Sequence, residues 1–329
     1  TMTHKLIILL VACLIIPSSV FAKYQLEWTP ALSIGEMYED NINLDSTNEQ
    51  EEWITTISPA IAMNLVSEGS NNIQLSYSPT WVRYQTETEN NTVRHSGALT
   101  INQNLTSRLS FDLTDTLTQS EEPVEETEGI YGVRGTRNVY LRNNAGLGIQ
   151  YLFGPENSIK VGYDYSMLRN DDPELEDNDA YYPSAGMTYW LSVKNGIELT
   201  YRGILIEYSW DGGEIARDSV SGDTASIRYI RRSSERTTTF IGYTYNSRYI
   251  GEVKDSDIHD GNIGLEHSFT SNVSLSLSGG YFLLKDEVYG DDNGYSYDVS
   301  LARDFSRGSV SVGGSGGWTR MLVVGFVSC

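Results

Sequence analysis

From about Tyr24 onward, apolar and polar residues alternate one by one through successive stretches of roughly 10 to 15 residues. In the first stretch Tyr24, Leu26, Trp28, Leu32 and Ile34 share one side, and Gln25, Glu27, Thr29 and Ser33 share the other. Further on, Leu141, Ala145, Leu147, Ile149 and Tyr151 alternate with Arg142, Asn144, Gly146, Gly148 and Gln150. Ile159, Val161, Tyr163 and Tyr165 then alternate with Lys160, Gly162, Asp164 and Ser166. A period of two puts successive side chains on opposite faces of a strand, whereas a helix repeats every 3.6 residues. The pattern therefore predicts many β-strands, each with one apolar and one polar face.

The breaks between stretches alternate in length. Short ones fall at 67–72, 104–107, 154–158, 194–196, 233–236, 270–272 and 306–308. Long ones fall at 39–52, 85–92, 119–136, 170–180, 209–222, 250–261 and 285–294. Short turns at one end of a sheet and long loops at the other are the layout of an outer-membrane barrel. The expected fold is all-β: a transmembrane antiparallel up-and-down β-barrel of about 16 strands, with short periplasmic turns and long acidic external loops. About fifteen strands precede the last segment, and residues 321–329 would supply the closing one.

Composition sharpens this reading. The chain has 329 residues with 22 Tyr, 30 Gly and only 8 Pro, a strand-and-turn composition. Only 39% of it is hydrophobic, which suits a sheet with a single apolar face. The net charge of −21 leaves no basic stripe for nucleic acid, which is excluded as a partner.

Residues 1–22 read as a cleaved signal peptide, and 23–329 as the barrel. His4 and Lys5 precede an apolar run, Leu6 to Ile16, and Val20-Phe21-Ala22 supplies small residues for cleavage after Ala22. Leu10-Val11-Ala12-Cys13 resembles a lipobox, but the apolar run continues past Cys13 as in an ordinary signal sequence. Cleavage would leave Cys329 alone, so no disulfide within the chain is expected. The expected location is the outer membrane of a Gram-negative bacterium.

Acidic residues gather in the long breaks. Asp171, Asp172, Glu174 and Asp177 lie in one, Asp291 and Asp292 in another, and Glu121, Glu122, Glu125, Glu126 and Glu128 in a third. The plain explanation is a solvated loop surface; a ring of them at an external mouth would attract cations. On the polar faces, Arg142, Lys160, Asp164, Glu198, Arg228 and Glu266 are the expected pore-lining charges, with Asp112 beside them. Trp28, Tyr38, Trp53, Trp81, Tyr84, Tyr181, Tyr182, Tyr208, Trp210, Tyr249, Tyr289 and Tyr295 stand near strand ends, where interfacial girdles belong. A carbohydrate-stacking surface is the sharper alternative.

No catalytic constellation emerges, and no cofactor or metal is expected. His95-Ser96 and His267-Ser268 are neighbours in sequence, but adjacent strand residues face opposite ways. The run Asp255-Ser256-Asp257-Ile258-His259-Asp260-Gly261 looks like a calcium loop without the EF-hand spacing.

Three stretches carry a resemblance: Tyr38-Glu39-Asp40-Asn41-Ile42, Ile54-Thr55-Thr56-Ile57-Ser58-Pro59-Ala60-Ile61, and Leu75 to Tyr84 with Ser78-Pro79 inside it. They resemble the outer-membrane β-barrel porins associated with exopolysaccharide and PEP-CTERM gene systems, most closely from Leu26 to Tyr84. The resemblance implies an outer-membrane location and a role beside polysaccharide synthesis or secretion. It supplies no catalytic residues. The end departs from the pattern: Met321-Leu322-Val323-Val324 is unbroken apolar sequence and the last residue is Cys329, not an aromatic. Residues 318–329 therefore read as an atypical, truncated or frameshifted end.

The leading expectation is a channel for polar solutes or a polysaccharide chain. The partners would be outer-membrane lipid and lipopolysaccharide, polysaccharide or export machinery, and the barrel assembly machinery. The alternative is a non-conducting barrel whose acidic loops bind polymer, lipopolysaccharide or divalent cations. An outer-membrane hydrolase is the third and least supported reading.

Overall fold

The computed structural model describes residues 24–42, 49–67, 71–121, 138–173, 175–209, 218–287, 290–305 and 308–316. The signal peptide, Glu174, Trp210, Tyr289 and the segment expected to close the barrel all lie outside these residues.

Fifteen strands follow one another: β1 Tyr24–Glu39, β2 Glu52–Ser67, β3 Asn72–Tyr84, β4 Thr92–Asn104, β5 Leu109–Ser120, β6 Tyr140–Leu152, β7 Ser158–Asn170 and β8 Asp177–Trp190. Then come β9 Asn195–Ser209, β10 Val220–Ser234, β11 Thr237–Ile250, β12 Val253–Thr270, β13 Val273–Asp286, β14 Asp292–Phe305 and β15 Gly308–Gly316. Each pairs antiparallel with the next in one sheet, an unbroken up-and-down meander. Among the described residues β1 and β15 are not paired with each other. Among the described residues regular helix is limited to a single short turn, Thr88–Asn90, after β3.

The two faces of the sheet differ in chemistry. Register carries one face through Trp28, Met63, Leu75, Leu99, Asp115, Ala145, Tyr165, Tyr181 and Leu205. It continues from Tyr229 through Ile241, Ile263, Gly279 and Tyr297. Large apolar side chains on this face are exposed, Trp28 at 64% and Ile34 at 70%. Leaving a Leu or Ile in water forfeits ~1.5–3 kcal/mol. A few such residues would match the ~5–15 kcal/mol net stability of a soluble domain.

The other face is polar for most of its length, yet the buried apolar residues Ile54, Tyr84, Ile206 and Ile258 belong to it. The distribution is thus inverted relative to a water-soluble sandwich, whose apolar faces pack on each other. We call the apolar face outer and the polar face inner.

The rim of the outer face nearest the long loops repeats one device in four successive hairpins. The phenol of Tyr165 donates to Asp179 at 2.5 Å, Tyr201 to Asp223 at 2.5 Å, Tyr245 to Asp257 at 2.8 Å and Tyr281 to Asn293 at 2.7 Å. Each ring remains on the apolar face while its hydroxyl is satisfied by the neighbouring strand, the arrangement suited to an apolar–aqueous boundary.

Three expectations are corrected. The long break at 250–261 is a tight hairpin: β11 and β12 are joined by Gly251 and Glu252 alone, with Gly251 at φ 61°. The calcium-like run is therefore strand. Asp257 and His259 face outward while Ser256, Ile258 and Asp260 face inward, which divides the would-be ligand set between two faces. Asp177 and Asp179 belong to β8 rather than to a loop. Tyr84, Tyr182 and Tyr208 lie on the inner face instead of in an outer girdle, and Tyr84 is fully buried.

Candidate functional site

The inner wall is the candidate site, and its middle is built from small and hydroxyl side chains. Ser76, Ser78 and Thr80 on β3 face Ala98, Ser96 and Arg94 on β4. Thr114, Thr116 and Thr118 follow on β5. Hydroxyls pair across strands, Ser58 with Thr80 at 2.8 Å and Thr200 with Ser226 at 2.5 Å.

The charges are distributed along this wall. Arg142 on β6 is level with Leu168, Lys160 on β7 with Gln150 and Gly186, and Asp164 with Gly146 and Tyr182. Asp112 lies against Gly148, where a Cβ would collide with its carboxylate. Glu198 and Arg228 are register partners 3.7 Å apart, and the Arg228 guanidinium rests 4.4 Å above the Phe240 ring. Glu266 stands between Thr238 and Ser276. Of the six lining candidates, Glu198 and Arg228 are brought into contact with each other.

A feature the residue pattern does not show is the uneven spread of positive charge along the inner wall. Inner positions from β4 to β11 carry Arg94, Arg142, Lys160, Arg202, Arg228 and Arg248 interspersed with Asp112, Asp164 and Glu198. From β12 to β14 the described inner positions carry Asp260, Glu266, Asp298 and Asp304 and no Lys or Arg. Position parity would have revealed it, but only once register had tied the strands together. A cavity of about 180 Å³, lined by Arg228, Phe240, Asp260, Asn262, Ser296 and Asp298, sits where the two regions meet.

At the loop end a buried knot ties β2, β3, β4 and the start of the β5–β6 connection. The Glu52 carboxylate accepts backbone N–H groups of Trp53, Gln85, Thr86 and Glu87 at 2.7 to 3.2 Å. Glu121 accepts from the Tyr84 hydroxyl at 2.9 Å and from the Arg94 guanidinium at 2.6 Å. Burial pushes the Glu121 carboxyl up, but Arg94 and Tyr84 outweigh it and hold it below the usual carboxylate range. At the opposite end Arg232 of β10 stacks 3.7 Å over Trp190 of β8 and reaches Glu156 in the β6–β7 turn at 2.9 Å. That bond holds the exposed Glu156 carboxyl below its ordinary pKa.

The acidic candidates lie at the loop end. Asp171, Asp291 and Asp292 are exposed. Asp172 accepts from the Asn138 side chain at 2.7 Å. Asp177 accepts the Asn170 N–H at 2.7 Å and lies 3.8 Å from Arg169. The three described histidines each meet a hydroxyl on the outer face: His95 with Tyr77, His259 with Tyr243 and His267 with Thr237. Ser96 and Ser268 face the other way.

No family model matches the sequence, and no curated protein does. Among solved structures the chain is similar to OprD of Pseudomonas aeruginosa, at 7% identity over 88% of each chain and a TM-score of 0.40. It is also similar to the outer-membrane protein OmpT of Vibrio cholerae, at 11% identity over 80% of this chain and 88% of that one, with a TM-score of 0.37. The CymD monoaromatic hydrocarbon channel matches at 9% identity over 91% and 90%, with a TM-score of 0.34. Scores this low carry no weight on activity, and the fold rests on the strand pairing itself.

Proposed function

We propose that the chain is a porin-like channel of the outer membrane, with the sheet closed into a barrel, its apolar face in lipid and its polar face around water. The observation that carries this reading is the inverted distribution of side chains: exposed Leu, Ile, Val and aromatic residues outside, and Ser, Thr, Gly and charge inside. Fifteen strands of this kind would enclose enough width for an aqueous path. The hydroxyl lining suits polar, uncharged solutes. Passage of a polysaccharide chain is the finer form of the reading, supported by that lining and by the resemblance in β1 to β3. The acidic residues Asp171, Asp172, Glu174, Asp177, Asp291 and Asp292 would bias the outer mouth toward cations.

A second reading, a non-conducting barrel that binds polymer, lipopolysaccharide or divalent cations through its loops, is favoured by one observation. Ile42 of the first loop is fully buried against inner-wall residues. Single-channel current of the refolded mature chain in planar bilayers separates the two. Stepwise current, blocked by oligosaccharide and less cation-selective after Asp171→Asn, Asp172→Asn and Glu174→Gln, is the result expected of the channel. A silent bilayer with correctly folded protein favours the second reading.

A further inference from the structure

A second cavity, of about 360 Å³, opens on the inner wall across β8 to β12, lined by Tyr182, Arg202, Ile204, Thr224, Asn246 and Arg248. These five strands are consecutive hydrogen-bonded neighbours, so the recess is complete within one stretch of the sheet. Register explains its shape. Arg202 of β9, Thr224 of β10 and Asn246 of β11 are aligned, and two positions nearer the loops Ile204, Gly222 and Arg248 form the next row. β10 separates the two arginines, which puts their backbones about 10 Å apart across the sheet. Gly222 leaves a notch between Ile204 and Arg248, and a Cβ there would stand 2.5 Å from the Ser247 carbonyl oxygen.

Three kinds of group surround the notch. Arg202 is exposed, and its guanidinium carbon lies 5.8 Å from the centre of the Tyr182 ring. Arg248 is 35% exposed, with its Nε 3.5 Å from Asp255. Thr224 donates to the Asn246 side-chain oxygen at 2.5 Å, which leaves the Asn246 amide nitrogen to donate elsewhere. Tyr182, Ile204 and Ile258 supply apolar surface. An apolar floor with a few convergent polar groups is the make-up of a small-ligand site. A guanidinium matches a carboxylate with two parallel N–H donors, while hydroxyl and amide groups match the hydroxyls of a sugar.

We infer that this recess binds an acidic sugar unit, a hydroxylated ring that carries a carboxylate. Its carboxylate is drawn to the two guanidinia, and its hydroxyls meet Thr224 and Asn246. The inference deepens the channel reading and rests on it for the ligand's route. The hydroxyls of the middle wall suit the ring, and the two arginines add a place for the acid group on it. Charges more than about 8 Å away are largely screened at physiological salt, so the guanidinia that line the recess, not the acidic mouth, govern what it holds.

The test titrates the full mature chain, folded in detergent micelles, with glucuronate, and with glucose and acetate for comparison. Wild type, Arg202→Gln and Arg248→Gln are measured by calorimetry, with folding checked by circular dichroism. The expected result is saturable glucuronate binding, tighter than that of glucose or acetate. Each variant should weaken it about tenfold, through loss of a charge-assisted hydrogen bond, and change glucose binding far less. No saturable binding to the folded wild type, an affinity unchanged in either variant, or acetate bound as tightly as glucuronate overturns the site. Single-channel current of the same proteins separates the two readings. Glucuronate binding with a silent bilayer overturns the channel and keeps the site, and current without glucuronate binding does the reverse.

Discussion

At the scale of single residues, the chain is held at its loop end by carboxylates that a sequence reading assigns to solvent. Glu121 sits in an acidic run that reads as a wet loop, yet it is 3% exposed and bound by Arg94 and Tyr84. Because its folded pKa is depressed, the unfolded chain binds more protons, and stability falls as pH drops below the ordinary value of 4.5 and through the folded one. Urea unfolding in detergent micelles should show this loss between neutral and strongly acid pH. Arg94→Met should be destabilised by about 3 kcal/mol at neutral pH, because it strands a buried carboxylate. It should also show a flatter acid limb. Equal slopes for the two proteins would remove Glu121 from the account. Glu52 was equally illegible: three of its four partners, Gln85 to Glu87, lie more than thirty positions away, and all four are backbone groups that no residue pattern records.

At the scale of elements, the strands were the most legible part. Their period of two and the Gly, Asn and Ser turns that punctuate them survive without tertiary knowledge. The β11–β12 hairpin misled because Asp255, Asp257, Asp260 and Gly261 have loop composition. Their strand places are set by cross-strand partners, Tyr245 of β11 for Asp257, which composition does not contain. Cross-strand pairing also sets how wide the inner face stays. Phe240 lies flat over its register partner Gly264, and Phe282 over Gly294, where a Cβ would stand 2.9 Å from the ring. Such pairs let an aromatic ring lie along the wall. Gly264→Val should therefore lift the Phe240 ring off the wall and reduce single-channel conductance. Gly264→Val combined with Phe240→Ala should restore it. An unchanged conductance in the single variant would mean that this ring does not border the path.

At the scale of the whole molecule, the sequence announced a one-faced sheet. It did not announce the buried apolar clusters at the loop end of the inner face, its hydroxyl-lined middle, or the lack of Lys and Arg among the described inner positions of β12 to β14. Those arise when register brings Ile206 level with Val220, or Glu198 level with Arg228, across strands whose order along the chain is the only thing the sequence displays. Strand lengths fit a membrane: 9–11 tilted residues cross a bilayer. β12, at 18 residues, is longer than such a crossing needs.

The central claim is that the apolar face meets lipid and the polar face meets water. Single cysteines placed in turn at Ile159, Lys160, Val161, Gly162, Tyr163 and Asp164 of β7, in a Cys329→Ser background reconstituted in vesicles, test it most directly. The account predicts that a charged, water-soluble maleimide labels 160, 162 and 164, while 159, 161 and 163 react only with a lipid-soluble reagent. Labelling by the water-soluble reagent at all six positions, or with the alternation reversed, would contradict it.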